Sequence, residues 1–346
     1  MTSLSGDTPP ISDLQIPQFD LVSDISDHHF AGKHPKTPPS SVQKKIMQEW
    51  KLLSKDLPET IFVRVYENRV NILRAAIVGA RGTPYHDGLF FFDVAFPSDY
   101  PARPPFVYYW SFGYRLNPNL YSNGRVCLSL LNTWVGKKCE KWDPNNSSIL
   151  QLLLSIQALV LNEKPYFNEP GYSGWSGRTY GEKKSLAYSE DVFVLSCKTM
   201  LRVLRKPPQS FELVVAQHFK DNAEFILSAC DAYRKGFARV GCFNGAVKGT
   251  KGEVSVKFKV AIDLLYEDLV MAMLKTGASV EHFAQQAREE REKKAKEKAE
   301  VAAASKNKRG VTVGEIGRSF VQKLKKIVSL GSIMKNKSQK SKTIPV

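Results

Sequence analysis

The chain has 346 residues, of which 42% are hydrophobic, 11% aromatic and 24% charged. This composition excludes a collagen-like, fully disordered or disulfide-stapled chain, and the length suits one domain plus an extension. The net charge of +16 by itself suggests an anionic partner, but eleven Lys or Arg stand against the single Glu315 between Val301 and Val346. Most of the surplus therefore lies in a tail, and no nucleic-acid partner is expected for the body. The five cysteines form no C-x-x-C pair, so neither a disulfide framework nor a metal site is expected, and a reducing compartment is the default. No run approaches 18 uninterrupted apolar residues, and the acidic start does not read as a targeting signal. A soluble intracellular chain is expected.

Residues 1–40 are rich in Pro, without periodicity, and read as a flexible leader. Val42, Ile46, Trp50 and Leu53 then recur at helical spacing, which predicts an amphipathic helix over 41–53 with Lys44, Lys45 and Lys51 on its outer side. Four short β-branched or aromatic runs follow at 61–66, 71–78, 89–96 and 106–110, and read as an antiparallel meander. About 35 residues of irregular pattern come next, a length that usually marks a functional loop. Helices are predicted over 147–161, over 188–205 ahead of Pro207-Pro208, and within 211–237 and 254–274. The glycine-rich stretch 241–252 matches no phosphate-loop register and reads as a linker. Glu281 to Ala304 reads as a solvated helix with i to i+4 ion pairs. Beyond it, Ile316, Phe320, Val321, Leu324, Ile327 and Val328 repeat at i, i+3, i+4 among lysines and Arg318. This basic amphipathic pattern suits an anionic membrane surface, a partner's groove or simple packing on the extension.

The irregular loop holds Asn117-Pro118-Asn119 and, eight residues after Asn119, Cys127 within Gly124-Arg125-Val126-Cys127-Leu128. A lone Cys is most often a small buried hydrophobe. Here the turn chemistry upstream offers an amide donor, Asn119, able to fold back towards the sulfur. Cys139 is read as a bystander in an inserted stretch, Cys197 as core and His86 as structural.

Taken in order, the helix, the meander, Tyr100-Pro101-Ala102-Arg103-Pro104-Pro105, Asn-Pro-Asn, Gly-x-Val-Cys-Leu, Trp142-Asp143-Pro144 and the following helix resemble the catalytic fold of ubiquitin-conjugating enzymes, the E2 family. The stretch Pro165 to Tyr172 narrows the likeness to the large E2 subgroup, which includes the giant apoptosis-inhibitor E2, the E2/E3 hybrid enzymes and the plant phosphate-homeostasis E2. The residue pattern itself gives a helical extension over 207–280 and a charged helix with a basic tail over 281–346, while the resemblance, which covers 41–206, implies an α+β domain there. It further implies that Cys127 accepts ubiquitin from an E1 as a thioester and passes it to lysines, alone or with an E3. Asn119 would orient the loop and stabilise the oxyanion, and Lys44, Lys45 and Lys51 would meet the E1. No cofactor is implied for this chain, since ATP is used by the E1. Most E2s have His where Asn117 stands, but the large subgroup also carries Asn there, so activity is expected. The Ala102 position and the lengthened stretch Leu131 to Lys141 leave the E3 open. The rival reading is a catalytically inactive, ubiquitin-binding E2 variant or scaffold. The expected placement is cytoplasmic, nuclear or peripheral to a membrane.

Overall fold

The computed structural model describes residues 16–33, 37–134, 136–245 and 254–307. The amphipathic tail and most of the glycine-rich stretch lie outside the described residues. The chain divides into two compact units, residues 1–284 and 285–346.

The first unit is built on a five-stranded sheet in the order β1-β2-β3-β4-β5. Strands β2 (Ile61–Tyr66), β3 (Ile72–Val78), β4 (Leu89–Ala95) and β5 (Phe106–Tyr109) form the expected antiparallel meander. β1 (Phe19–Val22) adds to β2 in parallel. The expectation of a flexible leader through residue 40 is therefore corrected over 16–33. Gln18 donates from its side chain to Pro58 O, and His28 and Phe30 are buried. A strand of four residues pairing with a partner some forty positions away leaves no local periodic signal, which is why the sequence hid it.

Successive side chains of a strand point to opposite faces. On one face Leu73, Ala75, Ile77, Phe90, Phe92 and Val94 join the main core with Val42, Ile46, Trp50 and Leu53 of α1 (Ser40–Asp56) and with Ile149, Leu152 and Leu153 of α2 (Ile149–Ser155). Ser148 caps α2 by accepting the Gln151 N–H at 3.2 Å, and α2 continues into one wide turn over Ile156–Val160. On the other face the strap 24–33 and the extension cover the sheet, with the Phe91 and Phe211 rings 5.2 Å apart. Both faces are thus covered, which explains why all seven residues of β4 are buried, Asp93 among them.

α3 (Thr179–Arg205) ends the expected domain, and the extension beyond it consists of α4 (Glu212–Lys235) and α5 (Val256–Leu274). α3 begins nine residues ahead of its expected start because its first turns bury only Gly181 and Ser185 and give no apolar stripe. Gly181 there lies against Trp175 O, a contact a Cβ would block. α4 closes at Gly236, whose φ of +77° is the left-handed cap glycine supplies readily. α6 spans Glu281–Asn307. No described helix is long and apolar enough to cross a membrane.

Candidate active site

After β5 the chain leaves the sheet and is held by buried side-chain amides together with short isolated backbone bridges. Asn117 is fully buried, and its Oδ1 accepts the Asn119 N–H at 2.8 Å, the Asx-turn expected of Asn-Pro-Asn. Its Nδ2 donates to Val160 O and to the Tyr85 hydroxyl, both at 2.7 Å. Tyr85 is buried, which pushes its phenol well above the ordinary range, and its hydroxyl donates to Leu116 O at 3.3 Å. Asn168 donates to Asn117 Oδ1 at 3.4 Å and to Val160 O at 3.2 Å, tying the stretch after α2 to the same amide.

The second amide of the motif reaches the thiol-bearing residue. Asn119 Nδ2 donates to Cys127 O at 2.8 Å, and the Cys127 N–H donates to Asn119 O at 2.9 Å. Two antiparallel bonds thus clamp the residues to each other across eight positions. Between them the chain reverses at Gly124, whose φ is +86° and whose α-carbon sits against the Tyr108 ring. On the far side Thr133 Oγ1 donates to Val126 O and accepts the Leu128 N–H, both at 3.0 Å, so both neighbours of Cys127 are pinned. Cys127 is 2% exposed. A cavity of about 540 Å³ opens beside this loop, lined among others by Phe106, Tyr108, Arg125, Val126, Leu131 and Thr133.

The other cysteines differ in setting. Cys139 is exposed in a short turn over Lys138–Glu140. Cys197 is fully buried beside Cys230, and burial pushes its thiol well above the usual range. His86 is buried with Nδ1 2.8 Å from Asp87 Oδ2, a structural placement. Lys44, Lys45 and Lys51 stand apart on α1, without a hydrogen bond or ion pair to the Cys127 loop among the described residues. Lys44 and Lys51 are exposed, whereas Lys45 is half-buried with Nζ 3.9 Å from Glu49 Oε1.

The structure brings Cys127, Asn119 and Asn117 together and adds three residues the sequence reading did not single out for the site: Tyr85, Thr133 and Asn168. Asn168 stands in the Pro165–Tyr172 stretch already marked by its resemblance, and that was its only signal. Among the described residues no group of His, Cys, Asp or Glu is placed to hold a metal. The framework around Cys127 is one of neutral amides and hydroxyls. It can fix a thiol ester and offer N–H donors to a developing oxyanion without changing charge.

The sequence pattern of the family described as ubiquitin-conjugating enzyme matches residues 45–194. The chain is 53% identical over 264 residues to "Probable ubiquitin-conjugating enzyme E2 24" of Arabidopsis thaliana, covering 75% of this chain and 29% of that one. It is 51% identical over 265 residues to "Putative ubiquitin-conjugating enzyme E2 38" of Arabidopsis thaliana, covering 75% of this chain and 81% of that one. It is 38% identical over 239 residues to "Dual E2 ubiquitin-conjugating enzyme/E3 ubiquitin-protein ligase BIRC6" of Homo sapiens, covering 64% of this chain and 5% of that one. The chain thus spans only 25 to 49% of the length of four curated relatives it matches. With the sheet, the Asn-Pro-Asn turn and the clamped cysteine in place, and half of the aligned residues shared with a relative covered over most of its length, the chain belongs to the ubiquitin-conjugating enzyme (E2) family.

Proposed function

We propose that this chain accepts ubiquitin from an E1 as a thioester on Cys127 and transfers it to lysines of substrate proteins, alone or with an E3. The observation that supports it most is the reciprocal clamp of Cys127 and Asn119, since it places an amide donor and the thiol-bearing residue in one rigid loop. In the first step the Cys127 thiolate attacks the carbonyl of the E1 thioester, a C–S bond forms, and the E1 thiolate leaves. In the second a neutral lysine amine attacks that carbonyl, a C–N bond forms, and the Cys127 thiolate departs as the amine gives up its proton. Charge builds on the carbonyl oxygen in both steps, so preorganised N–H donors are the help this chemistry needs. Asn119 is the donor best placed to serve, on leaving Cys127 O. The chain needs no cofactor of its own in this reading, because the E1 consumes the ATP. A reducing cytoplasmic or nuclear setting suits a free-thiol acceptor.

Incubation with E1, ATP and ubiquitin or a related modifier tests the proposal. The expected product is a reducible ubiquitin adduct, lost in Cys127→Ala, converted to a reductant-resistant ester in Cys127→Ser and retained in Cys139→Ser. A reducible adduct that persists in Cys127→Ala overturns it. Flotation of the full chain with vesicles, with and without phosphatidylserine, tests a peripheral membrane role for the basic tail. Binding that requires the anionic lipid is the expected result.

A further inference from the structure

The loop that carries Tyr85 is closed on itself, with Asp87 N–H donating to Gly79 O at 3.0 Å and Gly79 N–H to Gly88 O at 2.9 Å. One side of it reaches the catalytic loop through the Tyr85 hydroxyl. The other side is gripped by α4. His218 Nε2 donates to Asp87 O at 2.8 Å, so its proton sits on that nitrogen. His86 presents Nδ1 to the Asp87 carboxylate, which leaves Nε2 to accept the Tyr233 hydroxyl at 3.2 Å. Tyr233 in turn accepts the Gly241 N–H at 3.0 Å. The Arg81 guanidinium lies 3.8 Å over the Phe225 ring, and Arg81 Nη2 is 3.4 Å from Asn222 Oδ1. The His86 ring stacks on Phe193 of α3 at 4.9 Å. Four side chains of the extension, on one helix, therefore fix a loop whose only polar side chain toward the catalytic site is Tyr85.

We propose that α4 is a positioning element for the catalytic loop: His218 and Tyr233 hold residues 79–88 so that Tyr85 fixes Asn117, and through Asn119 the geometry of Cys127. The inference rests on the thioester reading of Cys127. Each link is a hydrogen bond between buried or half-buried groups, and a link of that kind left unmade costs free energy that the next member must absorb by moving. The helical extension thereby acquires a part in transfer that its packing alone would not give it. Tyr85, His218 and Tyr233 are positioning residues, since none touches the reacting atoms.

The test is single-turnover discharge of the preloaded full-length chain to free lysine, alongside E1 charging. Tyr233→Phe keeps the ring against Phe193 and Phe258 and deletes only the hydroxyl, so it is expected to fold. Tyr233→Phe, His218→Ala and Tyr85→Phe should each slow discharge about tenfold while charging stays within about twofold. His218→Gln, which retains an N–H donor, should recover most of the loss. The Tyr233→Phe, Tyr85→Phe double variant should discharge no more slowly than Tyr85→Phe, because both act along one route. Wild-type discharge in Tyr233→Phe and His218→Ala overturns the proposal. Additive losses in the double variant, or equal loss of charging and discharge, overturn it too. Absence of any Cys127 adduct in the wild type would strike the proposed function instead.

Discussion

Two buried polar networks lie in this molecule, and they are built from opposite materials. Around Cys127 every member is neutral: Asn117, Asn119, Asn168, Tyr85 and Thr133. On the sheet's second face the members are charged. Strand register sets Asp20, Arg64, Arg74, Asp93 and Tyr108 in one row across the sheet. Arg64 is thus opposite Arg74, a like-charge pairing that costs stability unless each finds other partners. Arg74 finds Asp93, with Nε 2.5 Å from Oδ1, and Asp27 at 2.7 Å. Arg64 finds Pro17 O at 3.1 Å and Ser210 O at 3.2 Å, with its guanidinium 5.0 Å from the Phe211 ring centre. The charged row fastens the strap and the extension to the sheet. The amide network fixes a reacting group, and stays indifferent to pH while doing so.

The largest expected effect comes from the charged row. The Asp93 carboxylate accepts from Arg74, from the His29 N–H at 2.7 Å and from the Trp110 indole at 3.0 Å. Asp93→Ala leaves the buried guanidinium with only the half-buried Asp27 and takes the acceptor from the His29 N–H and the Trp110 indole, so unfolding in urea should show a loss of about 3–5 kcal/mol. Below the lowered melting temperature, discharge of the thioester should stay within about twofold of wild type. A loss under about 1 kcal/mol would mean that the row is ornamental.

The amide network should answer in the opposite way. Asn119→Ala should load from the E1 yet discharge to lysine about a hundredfold more slowly, roughly 3 kcal/mol of transition-state stabilisation. Asn119→Asp should do the same, because a carboxylate donates nothing to Cys127 O or to an oxyanion. Normal discharge in a single-turnover chase would reduce Asn119 to a shaper of the loop. Failure of both loading and discharge would indicate that the clamp has collapsed.

Acid should separate the networks further. Burial lowers the pKa of His28, whose Nε2 donates to Leu73 O at 3.0 Å, so His28 is neutral when folded and takes up a proton once unfolded near pH 6.5. Burial likewise lowers His29 and His218. For Asp93 burial works to raise the pKa, but the hydrogen bond from Arg74, the Arg74 charge and the His29 N–H outweigh it and hold the group below the usual carboxylate range. The unfolded chain binds more protons in every case, so stability falls as pH drops. The histidines act first, below about pH 6.5, and Asp93 follows below about pH 4. Each such group contributes at most about 1.4 kcal/mol per pH unit. Urea titrations between pH 7 and pH 5 should show that decline, and a flat profile would contradict the neutral assignment of His28.

How much of this was legible beforehand follows the same division. The main core, the meander and the Asn117–Cys127 turn announce themselves through local signals: apolar period, β-branched runs and turn residues. The charged row does not, because its members are spread from Asp20 to Tyr108 and meet only through register. Tyr85 was hidden for the same reason, since nothing in Thr83-Pro84-Tyr85-His86 says which buried amide its hydroxyl will find. His28 sat in a leader without periodicity, where the adjacent pair His28-His29 draws no notice.

Exposed charge provides the smallest expected effect and a control on both networks. Lys44 and Lys51 are exposed on α1, so they add little to stability. Their proposed part is to steer an acidic E1 surface, a long-range effect that salt screens within about 8 Å at physiological ionic strength. Lys45 is a poorer probe, because it lies beside Glu49, whose carboxylate accepts the Tyr100 hydroxyl at 2.8 Å and the Ile149 N–H at 3.0 Å. Lys45→Glu would set a second carboxylate against that buried acceptor and confuse docking with folding. Lys44→Glu with Lys51→Glu avoids the confusion. Charging should slow by roughly tenfold or less at low salt, the deficit should shrink as salt is added, and discharge and melting should not change. Unaltered charging at low ionic strength would remove α1 from the E1 contact, and an equal deficit at all salt concentrations would mean that the lysines act by direct contact rather than by steering.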